Sequence, residues 1–430
     1  MVYFFLYSGF RFNLYTALAN KYLMEKKEIR FVVQDLNTYT RLISKGVKLK
    51  NILVIRLKNL TRHADIPELF DNIDVLSENM SYKYACKLYW STIEFLNSLG
   101  LKSTDILFCG NGSHVQDLAI KKYQIDIKYE TMFSELANID GKTFFDPVGA
   151  NCNSLFYRLQ EENISELKSS YNYQRLNDWE LNYVQNKKNK HIIRQAKRRS
   201  LNELLIYYVL TVLEIILLIP SYDSLRVRSG LTKVNVLRRK KYKGNLKKTN
   251  NDTKEYCSTN FMFFPLQVTN DAQVLINSDY NNVQALKYYI KMSRSMGLEL
   301  VVKVHPAERN AEFINKIKEI IQEEDGVYIS NRNTFELILG SKCVVVNNST
   351  VGFEAIICGK ETFFIGKTFY SKLVDPVWRY YYIYNYLINI DSFTGVTVEN
   401  NIISKLNDLV KMKEKVIEHG KSKELGDSLL

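Results

Sequence analysis

The chain contains two long stretches in which short apolar runs alternate with amphipathic segments of helical length. The first stretch extends from Met1 to about Asn153, and the second from Phe261 to about Phe364. Strands that alternate with helices at this spacing form βαβ units, and these units build parallel sheets. A chain of 430 residues is also too long for one ordinary core. We therefore expect an α/β protein with two Rossmann-like domains.

The apolar runs of the two stretches predict the individual strands. The first set is Val2–Tyr7, Ile29–Val33, Ile52–Ile55, Ile106–Cys109 and Ile127–Tyr129. The second set is Phe261–Phe264, Leu298–Val304, Val327–Ile329, Cys343–Val346 and Thr362–Ile365. Two such halves facing a cleft describe a GT-B-like architecture. The predicted order is an N-terminal Rossmann-like, acceptor-side domain (1–160), a helical and basic insert (161–255), a C-terminal Rossmann-like domain (256–390) and a helical tail (391–430).

Nearly all of the net charge of +13 lies in the middle of the chain. Residues 187–248 contain 17 Lys or Arg and three acids, which is a net charge of +14. The other 42 basic and 43 acidic residues leave the rest of the chain at about −1. The basic charge therefore belongs to one segment. A basic stripe also suits nucleic acid, but no nucleic-acid-binding fold is recognisable, so we expect no nucleic-acid partner.

Within this segment, residues 204–219 are almost all apolar and are followed by Pro220. A membrane span needs about 20 residues, and Glu214 interrupts this one. Basic clusters flank it at 197–199 and 238–241. One interpretation is a buried helix with a solvated basic linker. The other is a helix that lies against an anionic membrane surface, held through residues 187–248.

The cysteines and the N-terminus bear on the compartment. The six cysteines lie far apart and form no C-x-x-C pair, which argues against a zinc site or a disulfide framework and fits a reducing cytoplasm. The apolar start of the chain lacks a basic leader and a small-residue cleavage site, so it predicts a buried strand, not a signal peptide. We expect a cytoplasmic protein peripheral to the inner face of the plasma membrane.

Three segments of the second stretch place polar side chains directly after an apolar run: Phe264–Asp271, Val302–Glu308 and Val346–Ala355. Ligands of open α/β sheets bind at the carboxyl ends of strands. His305 lies between an apolar strand and Pro306, where its imidazole either donates to a phosphate oxygen or serves the loop structurally. Asp271 is either a helix cap or a carboxylate nucleophile.

The third segment connects a strand to a helix. Ser349 or Thr350 is a natural N-cap, and Glu354 lies in the first turns of the helix. The N–H groups at a helix N-terminus form an anion site, and Gly352 lets backbone or ligand come close. In the first stretch, Glu130 follows a predicted strand. Its carboxylate is either a general base toward an acceptor hydroxyl or an ordinary surface glutamate.

Together these segments resemble the capsule polysaccharide biosynthesis family, the KpsS/LipB- and KpsC-like retaining β-Kdo glycosyltransferases. The resemblance rests on five motifs in the family's order, spread over about residues 129–370. They are Tyr129-Glu-x-x-Phe133, Asp146-Pro-x-Gly-x-Asn151, Pro265-Leu-Gln-x-x-x-Asp271, Lys303-x-His-Pro-x-Glu308 and Asn348-Ser-Thr-Val-Gly-x-Glu-Ala355.

The resemblance implies transfer of Kdo (3-deoxy-D-manno-oct-2-ulosonic acid) or a related ulosonic acid from a CMP-sugar to a lipid or glycan acceptor. It implies Asp271 as the nucleophile, His305 as a partner of the CMP phosphate and Glu130 on the acceptor side. The residues it implies for nucleotide-sugar binding are Gln267, Lys303, Glu308, Asn348, Ser349, Thr350, Gly352 and Glu354.

The expected function is therefore glycosyl transfer in capsule or surface-glycan synthesis, with capsule assembly or export proteins as further partners. We expect no metal and no cofactor, because no D-x-D motif is placed as a diphosphate–metal clamp and CMP carries one phosphate. A transferase or epimerase that uses a UDP- or GDP-sugar is one alternative. A non-catalytic export or assembly factor is the other.

Overall fold

The computed structural model describes residues 1–58, 66–137, 139–165, 171–188, 201–231, 260–308, 310–397 and 399–427. Within these residues the chain divides into two compact units. The first unit contains residues up to 165, together with 201–231 and everything from 382 onward. The second unit contains 171–188 and 260–381. Both basic clusters of the predicted insert, 197–199 and 238–241, lie outside the described residues.

Most of the α-helices follow the amphipathic segments seen in the sequence. In chain order they are α1 (Phe12–Met24), α2 (Leu36–Ser44), α3 (Ile73–Leu76), α4 (Tyr82–Leu99), α5 (Val115–Asp126), α6 (Leu155–Arg158), α7 (Tyr173–Lys188), α8 (Leu201–Ile216), α9 (Tyr222–Arg228), α10 (Ala272–Leu275), α11 (Asn282–Ser295), α12 (Ala311–Gln322), α13 (Thr334–Gly340), α14 (Thr350–Ile357), α15 (Pro376–Tyr381) and α16 (Ile402–Asp427). Helix α4 ends at Gly100, whose φ of 60° is left-handed and costs glycine little.

The first unit is built on a six-stranded sheet. Its strands are β1 (Val2–Leu6), β2 (Ile29–Val33), β3 (Ile52–Val54), β4 (Ile106–Phe108), β5 (Glu130–Leu136) and β6 (Thr143–Asp146). The spatial order is β3-β2-β1-β4-β5-β6, and only β6 is antiparallel to its neighbour. Central strand β1 is buried along its whole length, as expected for a strand covered on both faces.

The second unit is built on a five-stranded, fully parallel sheet. Its strands are β7 (Phe261–Pro265), β8 (Glu299–Lys303), β9 (Val327–Ile329), β10 (Cys343–Val346) and β11 (Glu361–Phe364). The spatial order is β11-β10-β7-β8-β9. When the strands are numbered within each unit, the first five strands of both sheets have the order 3-2-1-4-5 of the doubly wound fold. The predicted α/β class with two Rossmann-like units is confirmed.

Ten strands were predicted, and nine of them agree with the structure to within one residue at each end. The predicted strand Ile127–Tyr129 is wrong, because Ile127 still bonds back to Tyr123 at the end of α5 and the strand begins only at Glu130. Strand β6 was not predicted, since four residues after a turn carry little periodic signal.

The middle and the end of the chain belong to the two units and do not form the separate insert and tail of the predicted four-part order. Helix α7 belongs to the second unit, whereas α8 and α9 belong to the first. The C-terminal residues also return to the first unit, where Thr143 and Ile388 exchange backbone hydrogen bonds of 2.9 and 3.0 Å. Residues from 382 onward therefore complete the first unit and do not form a separate tail.

Candidate active site

The three polar segments of the second unit all follow parallel strands, so they lie at one edge of its sheet. Residues 266–271 follow β7, residues 304–308 follow β8 and residues 347–349 follow β10. In a doubly wound sheet this carboxyl edge is where ligands bind. The sheet topology thus collects the segments, and hydrogen bonds then connect them.

Glu308 connects the loop after β8 to the loop after β7. Its side chain is buried, with 2% of its surface exposed. One carboxylate oxygen accepts a hydrogen bond of 2.7 Å from the backbone N–H of Thr269, and the other accepts one of 2.7 Å from Asn310. Glu308 therefore shapes the two loops from within.

Asn348 connects the loop after β10 to the residues beyond Asp271. Its side-chain amide donates to the carbonyls of Gln273 at 2.7 Å and Asn277 at 3.0 Å. Its backbone N–H points at the side-chain oxygen of Gln267, 3.4 Å away. Both Gln267 and Asn348 are buried. These contacts bring the three segments into one hydrogen-bonded junction at the sheet edge.

Two further asparagines belong to this junction. Asn282 donates to the carbonyl of Gln267 at 2.9 Å, and Asn277 accepts from the backbone N–H of Lys367 at 2.8 Å. Both asparagines are buried. Asn282 begins helix α11 and Asn277 precedes it, and an asparagine at such a position is first taken for a helix cap, so local sequence patterns do not indicate these contacts across the sheet edge.

Asp271 is the N-cap of the short helix α10. One of its carboxylate oxygens accepts a hydrogen bond of 2.9 Å from the backbone N–H of Gln273. The capping interpretation is therefore correct in geometry, and it fixes the carboxylate at the carboxyl edge of the sheet. Capping and nucleophilic attack are compatible, because a cap occupies one lone pair of one oxygen.

His305 is exposed, and its ring is oriented by the loop that it begins. Its Nδ1 lies 3.1 Å from the backbone N–H of Ala307 and accepts from it. Loss of solvent around the ring lowers the pKa of His305, while Glu308 opposes this effect and Lys303 adds to it. A neutral imidazole that accepts at Nδ1 carries its proton on Nε2. The outward nitrogen is therefore a hydrogen-bond donor at neutral pH.

Lys303 ends β8 beside His305. Its ammonium group donates to the backbone carbonyl of Arg332, in the loop after β9. Burial lowers the pKa of Lys303, and the nearby charge of Glu336 opposes the shift. Lys303 therefore joins a further loop at the same sheet edge.

Ser349 is the N-cap of α14, with its hydroxyl 3.2 Å from the backbone N–H of Val351, and Thr350 is the first residue of the helix. Both side chains are partly exposed. The predicted ligand role of Gly352 stays a prediction, and packing gives this glycine a separate structural role. A Cβ atom there would lie 2.6 Å from the Phe364 ring, so the absent side chain lets α14 pack on β11.

Glu354 has contacts within the second unit, and its predicted role in nucleotide binding stays a prediction. Its carboxylate accepts hydrogen bonds from Lys187 at 2.8 Å and from Tyr183 at 3.3 Å, both on α7. Glu354 therefore attaches α14 to α7, which packs on the same unit.

Glu130 was predicted to follow a strand, but it is the first residue of β5. It stands beside Ile106, the first residue of β4, at the amino edge of the sheet. Its carboxylate forms an ion pair with Lys413 of α16. This position removes the strand-end argument for Glu130 as an acceptor-side base.

One conspicuous carboxylate of the first unit, that of Asp146, contacts other residues of the same unit. Asp146 is fully buried and accepts hydrogen bonds from the Tyr386 hydroxyl at 2.7 Å and from the N–H groups of Val148 and Gly149 at 2.7 and 3.0 Å. Burial raises the pKa of Asp146, and these hydrogen bonds oppose the shift. Asp146 thus joins the turn after β6 to the C-terminal return of the chain.

The first unit also has a cavity of about 810 Å³ at the amino edge of its sheet, where β2 and β3 begin. None of the predicted site residues lines it. The cavity lies at the edge opposite to the one where α/β sheets bind ligands. It belongs to the first unit, whereas the candidate site belongs to the second. Its cationic lining consists of Lys26, Lys27, Arg30, Lys45, Lys48 and Lys50.

Solved structures similar to this chain include two sugar-related enzymes. The Thermosulfurimonas dismutans KpsC β-Kdo 2,7 transferase shares 16% identity at a TM-score of 0.40, covering 75% of this chain and 89% of that one. The UDP-GlcNAc 2-epimerase of Methanocaldococcus jannaschii shares 10% identity at a TM-score of 0.25, covering 95% of this chain and 91% of that one.

Sequence comparison gives a closer assignment. The capsule polysaccharide export protein KpsS of Escherichia coli is 30% identical over 115 residues, which are 25% of this chain and 30% of that protein. The match thus spans less than a third of the length of this relative. The model of the family described as "Capsule polysaccharide biosynthesis protein" matches residues 154–373, about half of the chain. The chain belongs to the capsule polysaccharide biosynthesis protein family.

Proposed function

We propose that the protein is a glycosyltransferase of capsule polysaccharide biosynthesis. It transfers Kdo or a related ulosonic acid from a CMP-sugar to a lipid or glycan acceptor, with retention at the anomeric carbon. The observation that carries this proposal is the junction at the carboxyl edge of the second sheet, where Gln267, Glu308 and Asn348 hold the loops of Asp271, His305 and Ser349 together. Family membership supports the biological setting.

In the proposed reaction the Asp271 carboxylate attacks the anomeric carbon, and CMP leaves with the electron pair of the broken bond. An acceptor hydroxyl then displaces the carboxylate and loses its proton to solvent water, so two inversions give net retention. His305 donates from Nε2 to a phosphate oxygen of the departing CMP, in keeping with its lowered pKa. Ser349, Thr350 and the N-terminus of α14 bind the nucleotide phosphate. No metal or cofactor takes part.

The test is turnover of CMP-Kdo and of CMP-sialic acid with lipid and glycan acceptors, measured as CMP release and as product. Asp271→Asn should lower turnover by at least about 10⁴-fold, yet keep the fold because Asn is also a good N-cap. His305→Ala should lower turnover by about 10²- to 10³-fold. Asp279→Asn is the matched control, since this aspartate is exposed and only loosely paired, 3.6 Å from Lys367. Full activity of Asp271→Asn would remove the nucleophile.

A non-catalytic export or assembly factor is the second candidate, favoured by the similarity to the capsule polysaccharide export protein KpsS of Escherichia coli. A ligand that binds the folded state raises the melting temperature. We expect CMP to do so, and UDP and GDP not to. A shift with UDP or GDP alone would point to a different sugar nucleotide. No shift with any nucleotide, together with no turnover, would favour the non-catalytic candidate.

We also propose that the protein works at the cytoplasmic face of the plasma membrane, beside capsule assembly or export proteins. The basic charge of residues 187–248 supports this location. Across the residues that the structure describes, no helix is long and apolar enough to cross a membrane.

A further inference from the structure

Helix α8 and the turn after it expose a set of large apolar side chains. Six lie on the helix and two on the turn, and each is between 41% and 68% exposed. A contiguous exposed patch of this kind marks a surface for a partner or a membrane. We call this set the α8 apolar face; its residues are Ile206, Tyr208, Val209, Val212, Leu213, Ile216, Leu217 and Leu218.

The six helical members share one side of α8. At about 100° per residue they cover roughly 160° of the helix circumference. The opposite side carries the buried residues Thr211 and Glu214. A helix on the surface of a globular protein normally turns its apolar side inward, so α8 has the reverse arrangement.

Polar contacts hold α8 in this orientation. One Glu214 oxygen accepts from the backbone N–H of Leu36 at 2.7 Å, and the other accepts from the Ser221 hydroxyl at 2.5 Å. Arg228 of α9 donates to the carbonyl of Ile215. A helix that could simply rotate would bury its apolar side against the unit. These contacts oppose that rotation and keep the apolar face outward.

The charge of the surrounding sequence indicates what kind of partner covers the α8 apolar face. Residues 187–248 carry a net charge of +14, and Lys197, Arg198 and Arg199 directly precede the helix in sequence. A second copy of this chain would bring the same positive charge to the interface and be repelled. An anionic lipid surface offers both the opposite charge and an apolar layer for side chains, which is how interfacial helices bind.

We propose that the α8 apolar face docks into the interfacial layer of an anionic phospholipid bilayer, with the helix parallel to the membrane plane. The inference rests on the membrane location of the proposed function and gives that location a surface. It does not depend on the identity of the donor sugar.

The test is flotation of the full chain with phosphatidylcholine vesicles that contain or lack phosphatidylglycerol. The triple variant Val209→Gln, Val212→Gln, Ile216→Gln should bind anionic vesicles roughly tenfold more weakly or worse, because three apolar side chains no longer insert. The matched control is Leu49→Gln, Ile125→Gln, Val396→Gln, three exposed apolar residues elsewhere in the first unit. The control should float like the wild type, and raised salt should weaken wild-type binding.

Flotation of the triple variant equal to that of the wild type would overturn the proposal. So would a concentration-dependent dimer of the wild type, in the absence of lipid, that the triple variant loses. If the triple variant has a lowered melting temperature, Ile216→Gln alone repeats the test with a smaller change. Turnover with a water-soluble acceptor should be the same in the triple variant and the wild type. Absent turnover in both, with flotation lost only in the variant, would refute the proposed function and leave the docking surface standing.

Discussion

Glu308 belongs to a motif that suggested ligand binding, but its contacts are with the protein backbone. Each of its oxygens accepts a backbone N–H, one from Thr269 in the loop after β7 and one from Asn310 just beyond its own loop. A carboxylate has no N–H of its own, so it is suited to accept from two backbone amides at once. Glu308 therefore positions the loops that carry the candidate nucleophile, Asp271, and the candidate hydrogen-bond donor to the phosphate, His305.

We expect Glu308→Gln to lower the free energy of unfolding by about 1–3 kcal/mol. The new amide nitrogen would face the N–H of Thr269 or of Asn310 and leave it unpaired. Urea denaturation measures the change. Glu319→Gln, at an exposed position on α12, serves as the control and should have little effect. Equal stability of the two variants would show that the Glu308 contacts contribute nothing.

His114 gives the first unit a pH-dependent contact. Its Nδ1 lies 3.1 Å from a carboxylate oxygen of the buried Asp74 and 2.9 Å from the Tyr222 hydroxyl. Burial by itself lowers the pKa of His114, but the charge and hydrogen bond of Asp74, with help from Asp117, raise it overall above the usual 6.5. The folded state therefore binds the proton more tightly than the unfolded chain.

The resulting stability is fully present below the unfolded pKa and is lost as pH rises through the raised folded value. We expect the free energy of unfolding to fall as pH rises from about 6.5. Urea midpoints measured across this range test it, and His114→Gln should flatten this part of the profile. A profile that is the same in the wild type and the variant would assign the pH dependence to another group.

At the scale of secondary structure, most helices and strands follow from the spacing of apolar residues and from helix-capping residues. The helices α11, α12, α13 and α14 each begin directly after a side chain that caps them, and these caps are Asn281, Asn310, Asn333 and Ser349. The misplaced strand before Glu130 has a different origin. The short segment Ile127-Lys-Tyr129 between a helix and a strand fits either element, and only the pairing of β5 with β4 decides where the strand begins.

Helix α14 illustrates a glycine whose role only packing reveals. Alanine at Gly352 favours the helix by about 0.5–1 kcal/mol, but its Cβ would lie 2.6 and 2.8 Å from two carbons of the Phe364 ring. Overpacking costs about 1–3 kcal/mol, so we expect Gly352→Ala to destabilise the protein. Gly340→Ala is the control, because its Cβ would meet Phe261 at an ordinary 3.6 Å. Melting temperatures compare the two, and equal values would mean that Phe364 moves aside freely.

At the scale of the whole molecule, the candidate site and the α8 apolar face belong to different units. The sheet edge that carries the candidate site belongs to the second unit, and the outward apolar helix belongs to the first. The net charge outside residues 187–248 is about −1, so the excess basic charge does not belong to the segments that form the candidate site. That the two halves face a common cleft stays a prediction.

The sequence by itself determined the α/β class, the positions of nine strands, the three polar segments and the family resemblance. Period, caps and short motifs are local, and local patterns are what a sequence displays directly. Only the tertiary structure decided that Glu308, Glu354 and Gly352 serve packing and loop geometry, that Glu130 begins a strand, and that α8 turns its apolar side outward. Each of these depends on a partner far away in the chain, and the sequence around a residue does not name that partner.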